Sequence, residues 1–174
     1  MWLSQLFTVS ILATHVSVLL LILYVVLHKD QAQKIITQLK EKGIISAIII
    51  AVGGLAGSLL YSYVVQFQAC ILCYIQRYIL IVCLVMLVVA YKTNKKIWTH
   101  AALIVTVVGF TVALYNSWLQ WFPLAGANSF CNTFGGVSCS IRHVYAFGYI
   151  TIPVMSLTVF ALLLPPIILS LKKS

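Results

Sequence analysis

Apolar runs long enough to cross a bilayer constrain this chain more than any other feature of its sequence. Five of them cover residues 7–27, 44–66, 71–91, 101–121 and 144–171, and a transmembrane helix needs about 20 such residues. Hydrophobic residues make up 63% of the chain and charged residues 7%, a balance that no ordinary soluble core needs. Because backbone polar groups in hydrocarbon must be hydrogen-bonded internally, the sequence predicts an all-α membrane protein built as one helical bundle.

The positive charge of the chain predicts its topology and does not indicate nucleic-acid binding. The net charge is +9, yet all nine lysines lie in three short stretches, at 29–42, 92–96 and 172–173. Under the positive-inside rule these stretches are cytoplasmic. Five crossings then place the N-terminus, the turn at 67–70 and the loop at 122–143 outside, and the C-terminus in the cytoplasm.

Four cysteines fall on the predicted outer side, in two pairs. Cys70 and Cys73 open one apolar run, and Cys131 and Cys139 lie in the loop before the last run. Disulfides persist outside the cytosol and are rarely stable within it, so two exported pairs suggest an electron relay by thiol–disulfide exchange. Cys83, deep in a predicted span, is expected to behave as a small buried hydrophobe.

The first pair has the spacing of a reactive dithiol. Cys70, Cys73 and Arg77 stand at i, i+3 and i+7, which share one face of a helix. A helix N-terminus and a nearby guanidinium both favour the thiolate. The alternatives are a stapling disulfide or half of a zinc site, but the spacing between Cys131 and Cys139 supplies no second zinc knuckle. We therefore predict redox chemistry here and no metal site.

These motifs together resemble a known family. The run Cys-x-x-Cys-x-x-x-Arg at 70–77, followed by Cys131, by Cys139-Ser140 and by the Phe-Gly-Tyr-Ile-Thr-Ile-Pro run at 147–153, resembles the DsbB family, especially its short-loop BdbC-like branch. The likeness covers about residues 44–170.

The resemblance implies a fold and a division of the chain. Family members are four-helix transmembrane bundles, and this chain adds one N-terminal transmembrane helix. Residues 1–43 would then form that helix and a cytoplasmic linker, and residues 44–174 would form the DsbB-like bundle.

The resemblance also implies an activity, which is that of an oxidoreductase in the bacterial cytoplasmic membrane. It would reoxidise a secreted or membrane-anchored thioredoxin-fold partner of the DsbA type and pass the electrons to a quinone, either ubiquinone or menaquinone. By position, Cys131 would receive the partner's thiolate, Cys139 would attack Cys70, and Cys73 would face the quinone. Arg77 would stabilise that thiolate and the reduced quinone oxygen.

Three other functions stay open. A membrane scaffold would use the outer cysteines only as structural disulfides. A transporter or metal-handling protein would use them as soft ligands. A vitamin K epoxide reductase-like protein shares the bundle, the CxxC motif and quinone chemistry, but there the loop cysteines precede the CxxC, whereas here they follow it.

Several further residues have two interpretations each. His15, in the middle of the first run, is either functional or a neutral histidine bonded to a neighbouring helix. His143 is either a surface histidine or the quinone histidine that some family members have. Trp118, Trp121 and Phe122 form either an interfacial aromatic belt or part of a docking surface.

Two segments invite a structural prediction. Gly53, Gly54 and Gly57 predict close packing between helices. Residues 28–43, which hold both acidic residues of the chain among four lysines, predict either a short interfacial helix or a solvated linker.

Overall fold

The structure is a computed structural model that describes residues 29–64, 66, 69–122, 139, 149 and 151–172, together with residues 9, 12, 13, 15–17 and 20, but excludes the side chains of 29–36, 38–40 and 61. Four helices follow one another in the chain. They are α1 (Lys29–Tyr63), α2 (Ile71–Thr93), α3 (Lys96–Trp121) and α4 (Ile152–Leu171). The described residues between 9 and 20 are also helical, and no strand occurs in the part of the chain that the structure describes. The all-α prediction is confirmed.

Each of the four helices is long and apolar enough to cross a bilayer. The spans are Glu41–Leu60 within α1 and the whole of α2, α3 and α4. Large apolar side chains such as Ile49, Val85 and Ile104 are exposed on the outside of the bundle, where lipid would cover them. The protein is therefore a multi-pass membrane protein. The fifth predicted span, at 7–27, lies mostly outside the described residues and stays a prediction.

The charged stretch at 28–43 differs from both predictions made for it. Helix α1 starts at Lys29 and continues without a break into the apolar span, as far as Tyr63. Residues 29–42 contain Lys, Gln, Glu, Leu and Ala but no proline or glycine, so nothing in them stops a helix. The stretch is thus neither a separate interfacial helix nor an irregular linker, and the predicted domain boundary at 43/44 falls inside α1.

The helices form a closed ring of antiparallel neighbours. Asn94 ends α2 in the left-handed conformation at φ 51°, with its N–H bonded to the Ala90 carbonyl, which is a conformation that asparagine tolerates well. Asn94 and Lys95 alone connect α2 to α3, and so short a link makes the two helices antiparallel. Helix α1 packs against α2, α2 against α3, α3 against α4, and α4 against α1.

Glycines bring the helices close together in the middle of the bundle. A Cβ atom at Gly109 of α3 would overlap the ring of Phe160 in α4, and one at Gly54 of α1 would overlap Val159. The predicted close packing is thus confirmed at Gly54, whereas Gly53 is exposed and faces open space. These contacts surround a buried core from all four helices: Ala47, Ala51, Leu80, Cys83, Leu87, Ala102, Ala113, Phe160, Leu163 and Ile167.

The two ends of the bundle differ in charge. At one end, which we call the lysine end, Gly43 of α1 lies so close to α4 that a Cβ atom there would overlap the Pro166 carbonyl. Exposed lysines lie at this end, at Lys42, Lys92, Lys95, Lys96 and Lys172. The other end, which we call the cysteine end, joins the start of α2 to the end of α3 and holds Cys70 and Cys73. Among the described residues, the predicted separation of the exposed lysines from Cys70 and Cys73 is confirmed.

Candidate functional site

A dithiol lies at the N-terminal end of α2. Cys70 is the N-cap residue directly before α2, in an extended conformation, and Cys73 lies in the first turn of the helix. Their sulfur atoms are 3.0 Å apart, and both are free thiols. The predicted alignment of the two residues on one helical face is confirmed, and it leaves the sulfurs in hydrogen-bonding contact.

The surroundings of Cys70 favour its thiolate. A hydrogen bond from the Cys73 thiol is the largest effect that lowers the pKa of Cys70, whereas burial raises this pKa. Backbone N–H groups of Cys73 and Leu72 and the side chain of Asn116 also lower the pKa of Cys70, from 9.0 to about 7. The backbone donors belong to the first turn of α2, whose N–H groups have no partner within the helix. The Cys70 thiolate therefore forms at a lower pH than that of an ordinary cysteine.

Asn116 of α3 connects the two sulfurs to the neighbouring helix. Its side chain is fully buried, and Nδ2 lies 3.6 Å from the Cys73 sulfur and 3.9 Å from the Cys70 sulfur. Its Oδ1 has no hydrogen-bond partner among the described residues. The sequence analysis missed this residue, although an asparagine inside an apolar run is a signal of function.

Cys139 lies at the same place. It is buried in one cluster with Cys70, Leu72 and Leu119, and Cys73 packs against that cluster. Cys139 is disulfide-bonded. The structure therefore brings a member of the second predicted pair to the first pair, whereas Cys131 lies outside the described residues.

Arg77 is at the cysteine end, as predicted, but it binds α1. Its Nε donates to the Ser58 hydroxyl at 3.1 Å, and Nη2 donates to the Ser58 carbonyl at 3.0 Å and to the Ser62 hydroxyl at 2.6 Å. The guanidinium also lies 5.5 Å from the centre of the Tyr74 ring. These contacts hold α2 against α1, and the predicted action of Arg77 on a thiolate stays a prediction.

Two more buried polar side chains lie at the cysteine end. Gln76, one helical turn after Cys73, is 3% exposed, and its Nε2 has no partner in the part of the chain that is described. The same holds for the hydroxyl of Thr151 at the start of α4. Buried polar atoms usually find partners, so these two atoms can bond to groups beyond the described residues.

The remaining predicted residues have structural surroundings. Cys83 is fully buried, with its sulfur 3.2 Å from the Thr106 hydroxyl, and ten residues of helix place it about 15 Å along α2 from Cys73. It cannot exchange directly with the dithiol. His15 is bonded to Thr158 of α4 and to Tyr149, as the second interpretation predicted.

Other predictions are tested only in part. Trp118, Trp121 and Phe122 are exposed at the end of α3, which fits either a belt or a docking surface, and His143 lies outside the described residues. Within the ranges that the structure describes, no three His, Cys, Asp or Glu side chains are grouped so that they could hold a metal ion.

Comparison with known proteins agrees with the motif. The family model described as "Disulfide bond formation protein DsbB" matches residues 40–169. A probable disulfide formation protein of Chlamydia caviae is 30% identical over 78% of this chain and 96% of its own length, and one of Chlamydia pneumoniae is 32% identical over 71% and 87%. A probable disulfide formation protein C of Halalkalibacterium halodurans is 27% identical over 71% and 88%. No solved structure matches the chain.

Proposed function

Since this chain belongs to the DsbB family of disulfide bond formation proteins, we propose that it reoxidises a thioredoxin-fold dithiol partner of the DsbA type and passes the electrons to a quinone. Membership implies a membrane thiol oxidoreductase. The identity of the thiol partner and of the electron acceptor is our proposal.

The observation that carries the proposal is the meeting of Cys139 with the Cys70 and Cys73 dithiol. Thiol–disulfide exchange requires the attacking sulfur to reach the sulfur of the disulfide. Cys139 is buried in the cluster that contains Cys70, although 69 positions separate them in the chain. A structural disulfide needs only its own two cysteines close together, whereas a relay needs both cysteine pairs at the same place.

The first half of the relay moves electrons from the partner to the loop pair. A partner thiolate attacks Cys131 in a disulfide with Cys139, which forms a mixed disulfide and releases Cys139 as a thiolate. The second partner thiol then attacks the mixed disulfide at the partner's sulfur. The partner leaves as a disulfide, and Cys131 and Cys139 have gained its two electrons and two protons.

The second half of the relay moves the electrons from the loop pair to Cys70 and Cys73. Cys139 attacks Cys70 in its disulfide with Cys73, so that a Cys70–Cys139 disulfide forms and Cys73 leaves as a thiolate. Cys131 then attacks Cys139, which restores the loop disulfide and leaves Cys70 and Cys73 as a dithiol. The contacts found for Cys70, in which Cys73 donates a hydrogen bond to it and lowers its pKa to about 7, stabilise this reduced pair.

The polar atoms at the cysteine end fit a quinone. Gln76 Nε2 and Arg77 would donate to a quinone oxygen, whereas Asn116 Oδ1 would accept from a hydroxyl of the reduced quinol; neither Gln76 Nε2 nor Asn116 Oδ1 has a partner among the described residues. When bound, a quinone would supply the oxidising capacity for two electrons and two protons. Asn116 holds the Cys73 sulfur in place through Nδ2 at 3.6 Å, and Cys73 gives up its proton as the disulfide forms.

The charge pattern supports an exported cysteine end. Exposed lysines at Lys42, Lys92, Lys95 and Lys96 are confined to the opposite end, which the positive-inside rule places in the cytoplasm. The dithiol would then face the compartment in which disulfides are made. We propose that the N-terminus lies outside and the C-terminus inside the cell.

An anaerobic assay tests the proposal directly. The purified protein is mixed with a reduced DsbA-like protein and with ubiquinone or menaquinone, and quinol formation is followed by absorbance. Catalytic quinol formation, dependent on both substrates, is the expected result. Oxidation of the partner without quinol formation would reject the quinone as acceptor. If neither reaction occurs, a membrane scaffold with structural disulfides would be the better hypothesis.

A further inference from the structure

His15 makes two hydrogen bonds to the bundle from a segment that lies before it in the chain. Its Nε2 is 2.7 Å from the Thr158 hydroxyl of α4, and its Nδ1 is 3.0 Å from the Tyr149 hydroxyl. The family match begins only at residue 40. This contact is therefore an addition of this chain to the matched region.

The direction of each hydrogen bond follows from its neighbours. The Thr158 hydroxyl donates its one hydrogen to the Val154 carbonyl at 2.9 Å, so it must accept from His15. Nε2 therefore carries a ring hydrogen, and in the neutral tautomer Nδ1 accepts from the Tyr149 hydroxyl. Both ring nitrogens of His15 are used in this arrangement.

Tyr149 is held from two sides. Its ring stacks on His15, with the ring centres 5.8 Å apart and the planes 23° apart. Its carbonyl accepts a long hydrogen bond of 3.5 Å from the indole of Trp121. Trp121 is the last residue of α3, and Tyr149 stands shortly before α4 begins at Ile152. His15 thus fixes the point where the chain joins the end of α3 to the start of α4.

That point lies close to the second cysteine pair in the chain. Cys139 precedes Tyr149 by ten residues and is buried against Cys70. Fixing one end of a short segment raises the effective concentration of a group within it at a neighbouring site. An anchor at Tyr149 therefore favours the encounter of Cys139 with Cys70.

We propose that His15 is a positioning residue, which docks the N-terminal segment on α4 and, through Tyr149, keeps Cys139 within reach of Cys70. The inference rests on the proposed function, because the exchange between these two cysteines is a step of the proposed relay.

The experiment measures that encounter without a quinone. In the full-length chain carrying Cys73→Ser and Cys131→Ser, Cys70 and Cys139 remain to pair. In a glutathione redox buffer they lose two electrons and two protons to glutathione disulfide, which becomes two molecules of glutathione. Quantifying the linked peptides by mass spectrometry at several buffer ratios gives the effective concentration of one thiol at the other.

Three substitutions in this background separate the hydrogen bonds from the packing of the ring. His15→Phe keeps an aromatic ring but removes both bonds, and we expect the effective concentration to fall about three- to tenfold. Tyr149→Phe removes only the hydroxyl and should also lower the effective concentration. His15→Gln offers both a donor and an acceptor and should restore it to within about twofold. His100→Phe is the matched control, because His100 is exposed and contacts the Lys96 carbonyl at the lysine end.

The possible outcomes are distinct. Values for His15→Phe and Tyr149→Phe equal to that of the parent chain would overturn the inference, as would a loss in His15→Gln as large as in His15→Phe. If His15→Phe does not fold, Tyr149→Phe decides. Because this equilibrium needs no quinone, a parent chain that forms no quinol contradicts the proposed function alone.

Discussion

The middle of the bundle and its cysteine end are built on different principles. In the middle, helices meet by shape, with Gly109 against Phe160 and Gly54 against Val159. The buried hydroxyl of Thr106 there donates to the Ala102 carbonyl of its own helix at 2.7 Å. At the cysteine end, by contrast, the side chains packed inside include polar atoms for which the described residues offer no partner.

This difference separates stability from chemistry. A buried polar atom left without a hydrogen-bond partner costs about 1–3 kcal/mol, and neither Gln76 Nε2 nor Asn116 Oδ1 finds one among the described residues. Such a cost is expected at a site that receives a ligand, whereas the middle of the bundle carries the packing that holds the fold. Substitutions in the two regions should therefore affect different measurements.

Replacing one cysteine in each region gives the largest contrast. Cys73→Ser removes a sulfur that must form a disulfide, so quinol formation should fall by about a thousandfold or more while the fold is kept. Cys83→Ser is the matched control, because a serine hydroxyl can keep the contact with Thr106 that the thiol makes at 3.2 Å. Its turnover should stay within about twofold of the parent chain.

Quinol formation and melting temperature are measured on both variants. A Cys73→Ser protein that still reduces quinone would show that the dithiol is not the electron donor. Equal losses of activity in both variants would remove the distinction between the two regions.

Replacing a glycine in the middle should affect stability alone. Gly109→Ala places a methyl group against the rigid ring of Phe160, and overpacking of this kind costs about 1–3 kcal/mol. Gly53→Ala is the matched control in α1, because a Cβ atom there meets open space and alanine favours a helix over glycine by up to about 1 kcal/mol. Thermal unfolding in detergent measures both changes. A destabilised Gly53→Ala, or an unaffected Gly109→Ala, would contradict the packing described here.

Arg77 combines a structural role with a proposed chemical one, because it lies at the cysteine end and its hydrogen bonds hold α2 against α1. If it also stabilises the reduced quinone oxygen, Arg77→Ala should lower quinol formation about tenfold and exchange with the partner by less than about twofold. Arg77→Lys keeps the charge but loses the fork that reaches Ser58 and Ser62. The two half-reactions are measured separately under anaerobic conditions. Equal losses in both would assign Arg77 a purely structural role.

Most of the fold could be predicted because it depends on features that are local in the chain. The apolar runs predicted four of the helices, and the positions of the lysines predicted that the two ends of the bundle differ in charge. The continuity of α1 through residues 29–43 could not be predicted from charge, because lysine and glutamate mark the boundary of a membrane span and are also good helix formers.

The site could be predicted only as far as its cysteines. The spacing of Cys70 and Cys73 gives their alignment, since both belong to one helix. Asn116 could not be placed beside them, because its register against α2 depends on how α3 packs. The partners of Arg77 were missed for the same reason, since Ser58 and Ser62 lie on another helix.

The smallest expected effect tests the part of the cysteine end that sequence did not reveal. Because Asn116 is one of the groups that lower the pKa of Cys70 to about 7, Asn116→Leu should raise that pKa. The thiolate is the charged form, so alkylation of Cys70 by iodoacetamide should rise with pH through about 7 in the parent chain, and at a higher pH in the variant. The rate is measured across the pH range by mass spectrometry of the modified peptide.

Ser117→Ala provides the matched control for this shift. Ser117 is also buried in α3, but its hydroxyl donates to the Ala113 carbonyl of the same helix at 2.8 Å. Removing this hydroxyl should leave the pH dependence of Cys70 alkylation unchanged. A profile that is unchanged in Asn116→Leu would mean that the Cys73 thiol and the helix N-terminus are sufficient to stabilise the thiolate. An equal displacement in both variants would instead indicate a general loosening of α3, since Asn116 is hydrogen-bonded to the two sulfurs whereas Ser117 is bonded to its own helix.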